Sequence, residues 1–340
     1  MVKLSAVGDV VHCLPVLAAL KRHLPNSRIE WLVEESAAEL LQGHPLLDRL
    51  WISHRKSWLS DIGKGRRKAL LEAWRFATRL REQRFDLVLD LQGLYKSAVW
   101  TRWVRGKRKI GWSGTKELTG FSLTETIGPE NFRLHAVDRY LDFIRYLGYD
   151  PGKPEFSIPI HREDEERVSM IVQEANPGNK DLISLNPVAK WHTKLWSQTS
   201  FARLADILME ELDVVLAFTG GLEDRTYVDA IRSEMKKNAM NLCGRTNLRE
   251  LACLYGRSRL VLSTDTGPMH VAASVGTPVV ALFGPTDPDR TGPYGAAHRV
   301  VCSDVECRPC FKRTCDHGSC MNLITPEQVF RAVTETLTSQ

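Results

Sequence analysis

The stretch Ser263-Thr-Asp-Thr-Gly-Pro-Met-His270, continued by Val271-Ala-Ala-Ser-Val-Gly-Thr-Pro-Val-Val-Ala-Leu-Phe-Gly-Pro-Thr286, decides the fold. Residues 260–262 predict a buried strand, residues 269–275 a packed helix and residues 279–283 a second buried strand. The loop between the first strand and the helix offers hydroxyls, a glycine and the unpaired N–H groups of a helix start. Such a loop suits a phosphate or diphosphate, although an ordinary capped turn has the same composition. Asp265 would repel a phosphate, so we expect it to cap the helix or to accept hydrogen bonds from sugar hydroxyls.

The same alternation of strands and helices extends over both halves of the chain. Before residue 150, strands are predicted at residues 1–4, 28–33 and 86–90, and helices at 10–23, 69–83 and 135–147. Residues 149–159 then hold three prolines and a glycine and predict a linker. The second half predicts strands at 182–185 and 214–218 and helices at 197–211, 223–236, 248–255 and 325–337. The pattern predicts an α/β protein of two doubly wound parallel-sheet domains with a ligand cleft between them.

Composition sets the class of protein. The 340 residues are 43% hydrophobic and 26% charged, and no run approaches the roughly 20 apolar residues of a membrane span. The first residues carry no charged-then-apolar leader, so we expect a cytoplasmic protein. Residues 1–150 hold 25 Lys and Arg against 17 Asp and Glu, with much of the excess between Arg55 and Lys116. This basic half favours either a merely solvated surface or a face that meets nucleic acid or anionic lipid.

Several common enzyme classes lack support. No Gly-x-Gly-x-x-Gly and no Gly-x-x-x-x-Gly-Lys-Ser/Thr motif follows a predicted strand, which disfavours dinucleotide oxidoreductases and P-loop enzymes. No Gly-x-Ser-x-Gly motif indicates a hydrolase nucleophile.

Polar residues at the ends of predicted strands are the candidates for chemistry. Asp9 follows Gly8 at the start of the first helix, where a carboxylate serves as a general base or as a helix cap. His12 lies on the same side of that helix. Gln92 and Lys96 follow the strand that ends at Asp90, in a segment that is also typical of a polar turn with a helix cap.

The second half offers a cation and an acid. Lys194, in Lys190-Trp-His-Thr-Lys-Leu-Trp196, could neutralise a leaving diphosphate or simply be exposed. Glu223, after Gly220-Gly221, could accept hydrogen bonds from ribose hydroxyls or satisfy a helix dipole.

Cysteines cluster near the end of the chain. Cys307-x-x-Cys310, with Cys302, Cys315, Cys320 and His317 nearby, is compatible with a metal site, but the spacing is irregular and no second Cys-x-x-Cys follows. We expect reduced thiols in a packed loop and no bound metal. The cysteines and the basic stretch leave a metal- or nucleic-acid-binding protein as an alternative of another class, although it lacks stacking motifs and zinc-finger spacing.

Taken together, the motifs resemble glycosyltransferase family nine. They are, in order, Ser5-Ala-Val-Gly-Asp-Val-Val-His12, Asp90-Leu-Gln-Gly-Leu-Tyr-Lys-Ser97, Lys194-Leu-Trp-Ser197, Ser263-Thr-Asp-Thr-Gly-Pro-Met-His270 and Leu282-Phe-Gly-Pro-Thr-Asp-Pro288. The stretches Trp31-Leu-Val-Glu-Glu35 and Arg66-Arg-Lys-Ala-Leu70 resemble the heptosyltransferase I branch.

The resemblance implies a GT-B fold and an inverting, metal-independent reaction without a cofactor. Residues 1–150 would bind the acceptor, residues 158–324 the nucleotide sugar, and residues 325–340 would form a helix crossing back to the first domain. ADP-heptose would donate L-glycero-D-manno-heptose to Kdo–lipid A, the inner core of lipopolysaccharide, at the cytoplasmic face of the inner membrane. Heptosyltransferases II and III, which act on a heptosylated core, are the nearest alternatives.

The resemblance also implies roles for individual residues. The catalytic residues would be Asp9, as the base, and Lys194. The donor-binding residues would be Glu223, Asp265, Thr266, Gly267 and His270. The acceptor side would be formed by His12, Gln92, Lys96, Arg66 and Arg67, and the basic first domain would gather the anionic acceptor without binding nucleic acid.

Overall fold

The computed structural model describes residues 1–115, 117, 119–129, 131, 133–176, 178 and 180–339. Lys116, the end of the basic stretch considered above, lies outside them. The chain divides into two compact units, Met1–Pro159 and a second that begins at Ile160.

The first unit alternates parallel strands with helices. Its strands are β1 (Glu30–Glu34), β2 (Arg49–Ser53), β3 (Arg84–Asp90), β4 (Arg105–Ser113) and β5 (Glu125–Pro129). Its helices are α1 (Val7–His12), α2 (Leu14–His23), α3 (Glu35–Ala38), α4 (Arg55–Gly63), α5 (Arg67–Glu82), α6 (Tyr95–Trp103) and α7 (Ala136–Tyr146), with a 3-10 turn at Thr119–Ser122. The predicted helix 10–23 is two helices, because the chain turns at Cys13.

The sheet of the first unit is joined through a single residue. Strand β1 pairs with β2, and β3 pairs with β4 and then β5. Val2 forms parallel bridges to Leu32 on one side and to Asp90 on the other. In place of the predicted strand at residues 1–4, the structure therefore has an isolated bridge at Val2. A cavity of about 430 Å³ lies beside that bridge and is lined in part by Met1, Glu30 and Phe85.

The second unit holds one continuous parallel sheet in the order β11-β10-β9-β6-β7-β8. Its strands are β6 (Asp181–Asn186), β7 (Val214–Phe218), β8 (Met240–Asn241), β9 (Leu260–Thr264), β10 (Val279–Leu282) and β11 (Arg299–Val301). Its helices are α8 (Arg162–Ala175), α9 (Gln198–Glu211), α10 (Arg225–Glu234), α11 (Leu248–Gly256), α12 (Gly267–Ser274), α13 (Pro288–Thr291), α14 (Ser319–Asn322) and α15 (Pro326–Thr338), with 3-10 turns at His192–Lys194 and Leu222–Asp224. Strands β9 and β10 are buried on both faces, which agrees with their uninterrupted apolar sequence.

The linker and the last helix each belong to one of the two compact units. The predicted linker belongs to the first unit: Arg22 donates to the carbonyl of Pro151 at 2.9 Å, and the ring of His44 bonds the carbonyl of Ser157 at 3.1 Å. Helix α15 buries Val329 and Val333 in the core of the second unit. Helix α15 therefore contributes to the core of the second unit, and the crossing of residues 325–340 to the first domain stays a prediction.

Candidate active site

Asp9 lies in the first turn of α1, the helix that follows the bridge position Val2 and begins at Val7. Its Oδ2 accepts the backbone N–H of Ala6 at 3.1 Å, which satisfies one of the unpaired donors of the helix start. Its side chain is nevertheless 42% exposed. The carboxylate therefore serves as a cap and still presents itself to solvent, so the two interpretations of Asp9 are compatible.

A buried cation and a phenol hold the other oxygen of Asp9. The Lys3 ammonium lies 3.8 Å from Asp9 Oδ1 and donates to the Tyr140 hydroxyl at 2.6 Å. The Tyr140 hydroxyl in turn lies 3.4 Å from Asp9 Oδ1. Neither Lys3 nor Tyr140 was predicted from the sequence. Lys3 lies inside the first predicted strand, at residues 1–4, and the residues around Tyr140 gave no signal.

The segment after β3 is built around a buried carboxylate. Asp90 accepts the N–H groups of Gln92 and Gly93 and the hydroxyls of Ser97 and Thr101, at 3.0 to 3.2 Å. Burial raises the pKa of Asp90 against these hydrogen bonds. The Gln92 side-chain oxygen then accepts the N–H groups of Leu4 and Ser5 at 3.1 and 3.2 Å. Gln92 thus fixes the loop that precedes Asp9.

Lys96 belongs to a cationic group around a buried glutamate. Its ammonium donates to the Ser5 hydroxyl at 2.5 Å and lies 3.9 Å from Glu34 Oε1. Arg55 donates to the same Glu34 oxygen with Nε at 3.0 Å and Nη2 at 2.8 Å, and the Lys56 ammonium is 3.9 Å from Oε2. Burial lowers the pKa of Lys96; Glu34 opposes the shift, and Arg55 and the other neighbouring cations add to it. This corner suits an anion, because several cations share one carboxylate.

The other predicted acceptor residues are not among the cations around Glu34. His12 is buried and packs edge-on against the ring of His135, with 5.4 Å between ring centroids. Arg66 and Arg67 are exposed at the start of α5, where Arg66 pairs with Asp61 at 2.8 Å.

In the second unit, Lys194 and Asp265 form an ion pair. Lys194 ends a 3-10 turn, and its ammonium lies 2.5 Å from Asp265 Oδ2 and 4.6 Å from the centre of the Trp191 ring. The Thr286 hydroxyl donates to the same carboxylate oxygen at 2.5 Å. Asp265 is buried, and the Lys194 ammonium compensates its negative charge inside the unit. Thr286 stands in the quoted Gly-Pro-Thr sequence, but nothing in that sequence indicated its partner.

Helix α12 begins at Gly267, two residues after Asp265. Thr266 is its N-cap residue and makes no side-chain hydrogen bond to the helix, and Gly267 is its first residue. His270 is buried one turn along. Glu223 lies in the exposed turn Leu222–Asp224, next to Gly221, where an added Cβ would lie 2.5 Å from the Glu223 carboxylate. That carboxylate is the end of a flexible side chain and can move aside, so the turn does not depend on glycine at this position.

The cysteines near the end of the chain differ in their exposure. Cys302, Cys307 and Cys315 are exposed, Cys310 is half-buried and Cys320 is buried. Burial raises the pKa of the Cys320 thiol, and Cys307, Cys310 and Cys315 add to the effect. Within the described residues, no group of three or more His, Cys, Asp or Glu could hold a metal ion.

None of the helices in the described part of the chain is both long and apolar enough to cross a membrane.

Comparisons with known proteins agree with the motifs. Residues 73–321 match the sequence profile of Glycosyltransferase family 9 (heptosyltransferase). The lipopolysaccharide heptosyltransferase 1 of Pseudomonas aeruginosa is 32% identical over 93% of this chain and 87% of its own length. The lipopolysaccharide core heptosyltransferase OpsX of Haemophilus influenzae is 26% identical over 88% of this chain and 83% of its own.

Solved structures share the fold. A family 9 glycosyltransferase from Veillonella parvula superposes with a TM-score of 0.86 at 24% identity, over 100% of this chain and 96% of that one. The Escherichia coli heptosyltransferase WaaC with ADP superposes with a TM-score of 0.77 at 23% identity, over 98% of each chain. The predicted fold class, a GT-B protein with Rossmann-like domains, is confirmed.

Proposed function

Because this chain belongs to glycosyltransferase family 9, the heptosyltransferases, we propose that it transfers L-glycero-D-manno-heptose from ADP-heptose to Kdo–lipid A. The observation that carries the proposal is Asp9, a half-exposed carboxylate held in place by Ala6, Lys3 and Tyr140. The first unit would supply the base and the acceptor site, and the second unit would hold the donor. The family disfavours the alternative of a metal- or nucleic-acid-binding protein.

The proposed reaction is a single displacement at the anomeric carbon. An acceptor hydroxyl attacks that carbon while Asp9 takes its proton, and a new carbon–oxygen bond forms. The bond from the same carbon to the diphosphate breaks, and ADP leaves with the electron pair from the opposite face, which inverts the configuration. A positioned base contributes roughly 10²–10⁴-fold to such a step.

On the donor side, Lys194 and the start of α12 would meet the diphosphate. The Lys194 ammonium, the Thr266 hydroxyl and the N–H groups around Gly267 stabilise the negative charge that grows on the leaving group. The reaction would then need no metal, and full turnover in the presence of a chelator tests this part. Asp265 would orient Lys194 and the heptose, His270 the sugar or its phosphate, and Glu223 the ribose hydroxyls.

On the acceptor side, Lys96 and Arg55 would meet the Kdo carboxylates. Both cations share the buried Glu34, so the anion enters a corner that is already ordered. Gln92 and His12 would act by shaping the loop around Asp9, since Gln92 is bonded to Leu4 and Ser5 and His12 is buried. Arg66 and Arg67 would attract the acceptor from the cytoplasmic face of the inner membrane.

The test is incubation with ADP-heptose and a heptose-less Kdo–lipid A, with mass spectrometry of the lipid. We expect a product heavier by one heptose residue. Transfer only to a core that already carries heptose would instead favour the alternative of a heptosyltransferase II- or III-type activity. No transfer to either acceptor contradicts the proposal.

A further inference from the structure

Helix α5 has apolar residues on two opposite faces. Ala69, Phe76 and Leu80 are buried in the core of the first unit. At about 100° per residue, Leu70, Leu71 and Trp74 lie on the far side of the helix. They are exposed there, Leu70 by 53% and Trp74 by 62%. The exposed face is therefore apolar where a solvent-facing helix normally carries polar residues.

Helix α6 exposes a second row. Tyr95, Val99 and Trp103 recur every four residues and so share one face. All three are exposed, Tyr95 by 60%. Phe121, also exposed, places its ring 6.4 Å from that of Tyr95.

Trp103 joins the two rows. Its indole N–H donates to the carbonyl of Ala77 in α5 at 2.7 Å. The Arg81 guanidinium of α5 lies 4.7 Å from the centre of the Trp103 ring and donates to its carbonyl at 3.0 Å. We call the combined surface the apolar band; it consists of Leu70, Leu71, Trp74, Tyr95, Val99, Trp103 and Phe121. A contiguous exposed patch of this kind marks an interaction site.

The charge beside the apolar band is mostly positive, although the exposed Glu117 accepts the N–H of Tyr95 and Glu72 and Glu82 are exposed on α5. Arg66, Arg67 and Lys68 are exposed at the start of α5, and Arg102 and Arg105 are exposed at the end of α6. Arg67 and Lys68 make no salt bridge to any residue that the structure describes. Helices with Trp and Leu on one face and Lys or Arg beside them lie in the headgroup region of anionic membranes.

We propose that the apolar band and the basic residues beside it are the surface with which the protein docks on an anionic lipid bilayer. The proposal rests on the proposed function in that the acceptor is a lipid anchored in such a bilayer. Tyr95 directly precedes Lys96, so one end of the band adjoins the corner that would bind the acceptor headgroup. A second copy of the chain is disfavoured as the occupant, because two basic rims would then face each other.

The experiment measures binding to vesicles that contain no acceptor. Wild type, Leu70→Ser/Trp74→Ser and the matched control Met170→Ser are sedimented with vesicles of phosphatidylethanolamine and phosphatidylglycerol, and with vesicles of phosphatidylcholine alone. Met170 is 57% exposed on α8 of the other unit, among acidic residues. We expect wild type and Met170→Ser to bind the anionic vesicles, and the double variant to bind at least about tenfold more weakly.

A water-soluble acceptor without acyl chains separates this proposal from the proposed function. The double variant should turn it over as wild type does, while losing activity on acceptor embedded in vesicles. Equal vesicle binding by wild type and the double variant overturns the docking surface. A wild-type dimer that the double substitution makes monomeric overturns it as well, because the band would then be a protein interface. If wild type itself fails on the soluble acceptor, the proposed function is what fails.

Discussion

Asp9 and Asp265 occupy corresponding places in the two units, yet their surroundings differ in kind. Each follows a sheet position and stands at the start of a helix. Asp9 is half-exposed, and its closest charged neighbour is 3.8 Å away. Asp265 is buried, with an ammonium and a hydroxyl both 2.5 Å from one oxygen. The surroundings of each carboxylate therefore decide its chemistry: an exposed carboxylate can take a proton, whereas one already paired with a cation can only orient its partners.

The largest effect should come from exchanging the two carboxylates for amides. Asp9→Asn keeps an oxygen that can cap Ala6 but removes the base, so we expect turnover to fall roughly 10²–10⁴-fold with unchanged donor affinity. The melting temperature should fall less than in Asp265→Asn, because Asp9 is half-exposed and lies 3.8 Å from Lys3. Asp265→Asn should instead weaken donor binding and lower the melting temperature. Steady-state kinetics and thermal unfolding of both variants check the contrast.

Two outcomes would break that contrast. Turnover of Asp9→Asn within threefold of wild type would leave Asp9 as a cap alone. A melting temperature lowered as much by Asp9→Asn as by Asp265→Asn would show that both carboxylates are structural.

Removing the cation from the buried pair should cost stability. Lys194→Met leaves Asp265 buried beside Thr286 alone, and removal of one partner of a buried pair typically costs about 3–5 kcal/mol. The double variant Lys194→Met/Asp265→Asn removes both charges, so we expect it to recover most of the free energy of unfolding. Chemical denaturation measures both variants. Donor binding should remain weak in both, and equal stabilities of the single and double variants would contradict a buried ion pair.

Substitution of Gln92 tests how much the loop before Asp9 contributes to the stability of the first unit, for comparison with the Lys194–Asp265 pair of the second. Gln92→Leu leaves the N–H groups of Leu4 and Ser5 without their acceptor, which should cost about 1–3 kcal/mol. Gln92→Glu retains an oxygen at that place and should retain more of the stability. If Gln92→Leu raises the KM for the acceptor without any loss of stability, the side chain binds substrate directly.

Acid should weaken both units through one histidine in each, the buried His44 and the half-buried His298. The Nδ1 of His44 accepts the N–H of Leu46, and the Nδ1 of His298 accepts the N–H of Val279, so both rings are held neutral. Burial lowers the pKa of both rings, with backbone carbonyls opposing. Their contribution to stability is full above about pH 6.5 and is lost as the pH falls through the lowered folded values. Unfolding free energies measured from pH 7 to pH 5 should decline, and less in His44→Gln and His298→Gln.

The sequence predicted the elements whose burial is complete. Residues 260–262 and 279–283 are apolar without interruption, and the structure places β9 and β10 there. The helix expected at residues 69–83 is α5, because its apolar residues recur at helical spacing. Strands β2, β4 and β5 were not predicted, since exposed or charged residues interrupt their pattern.

Contacts of the candidate site were harder to predict than its positions. Asp9 and Asp265 stand out because each lies between a predicted strand and a predicted helix, and Lys194 because it lies in the segment after the predicted strand at residues 182–185. Their partners Tyr140 and Thr286 are brought to them by pairings of distant segments, 131 and 21 residues away. A single sequence contains no periodicity that reports such pairings.

The bridge at Val2 has a consequence for how the molecule is made. The residues beside it are synthesised before Leu91 and Tyr140, yet the amide of Leu91 and the hydroxyl of Tyr140 are among the groups that hold them. Until the ribosome has released those later segments, the residues around Val2 can pair with β1 but not with β3. Their contacts are therefore completed only after most of the first unit has been synthesised.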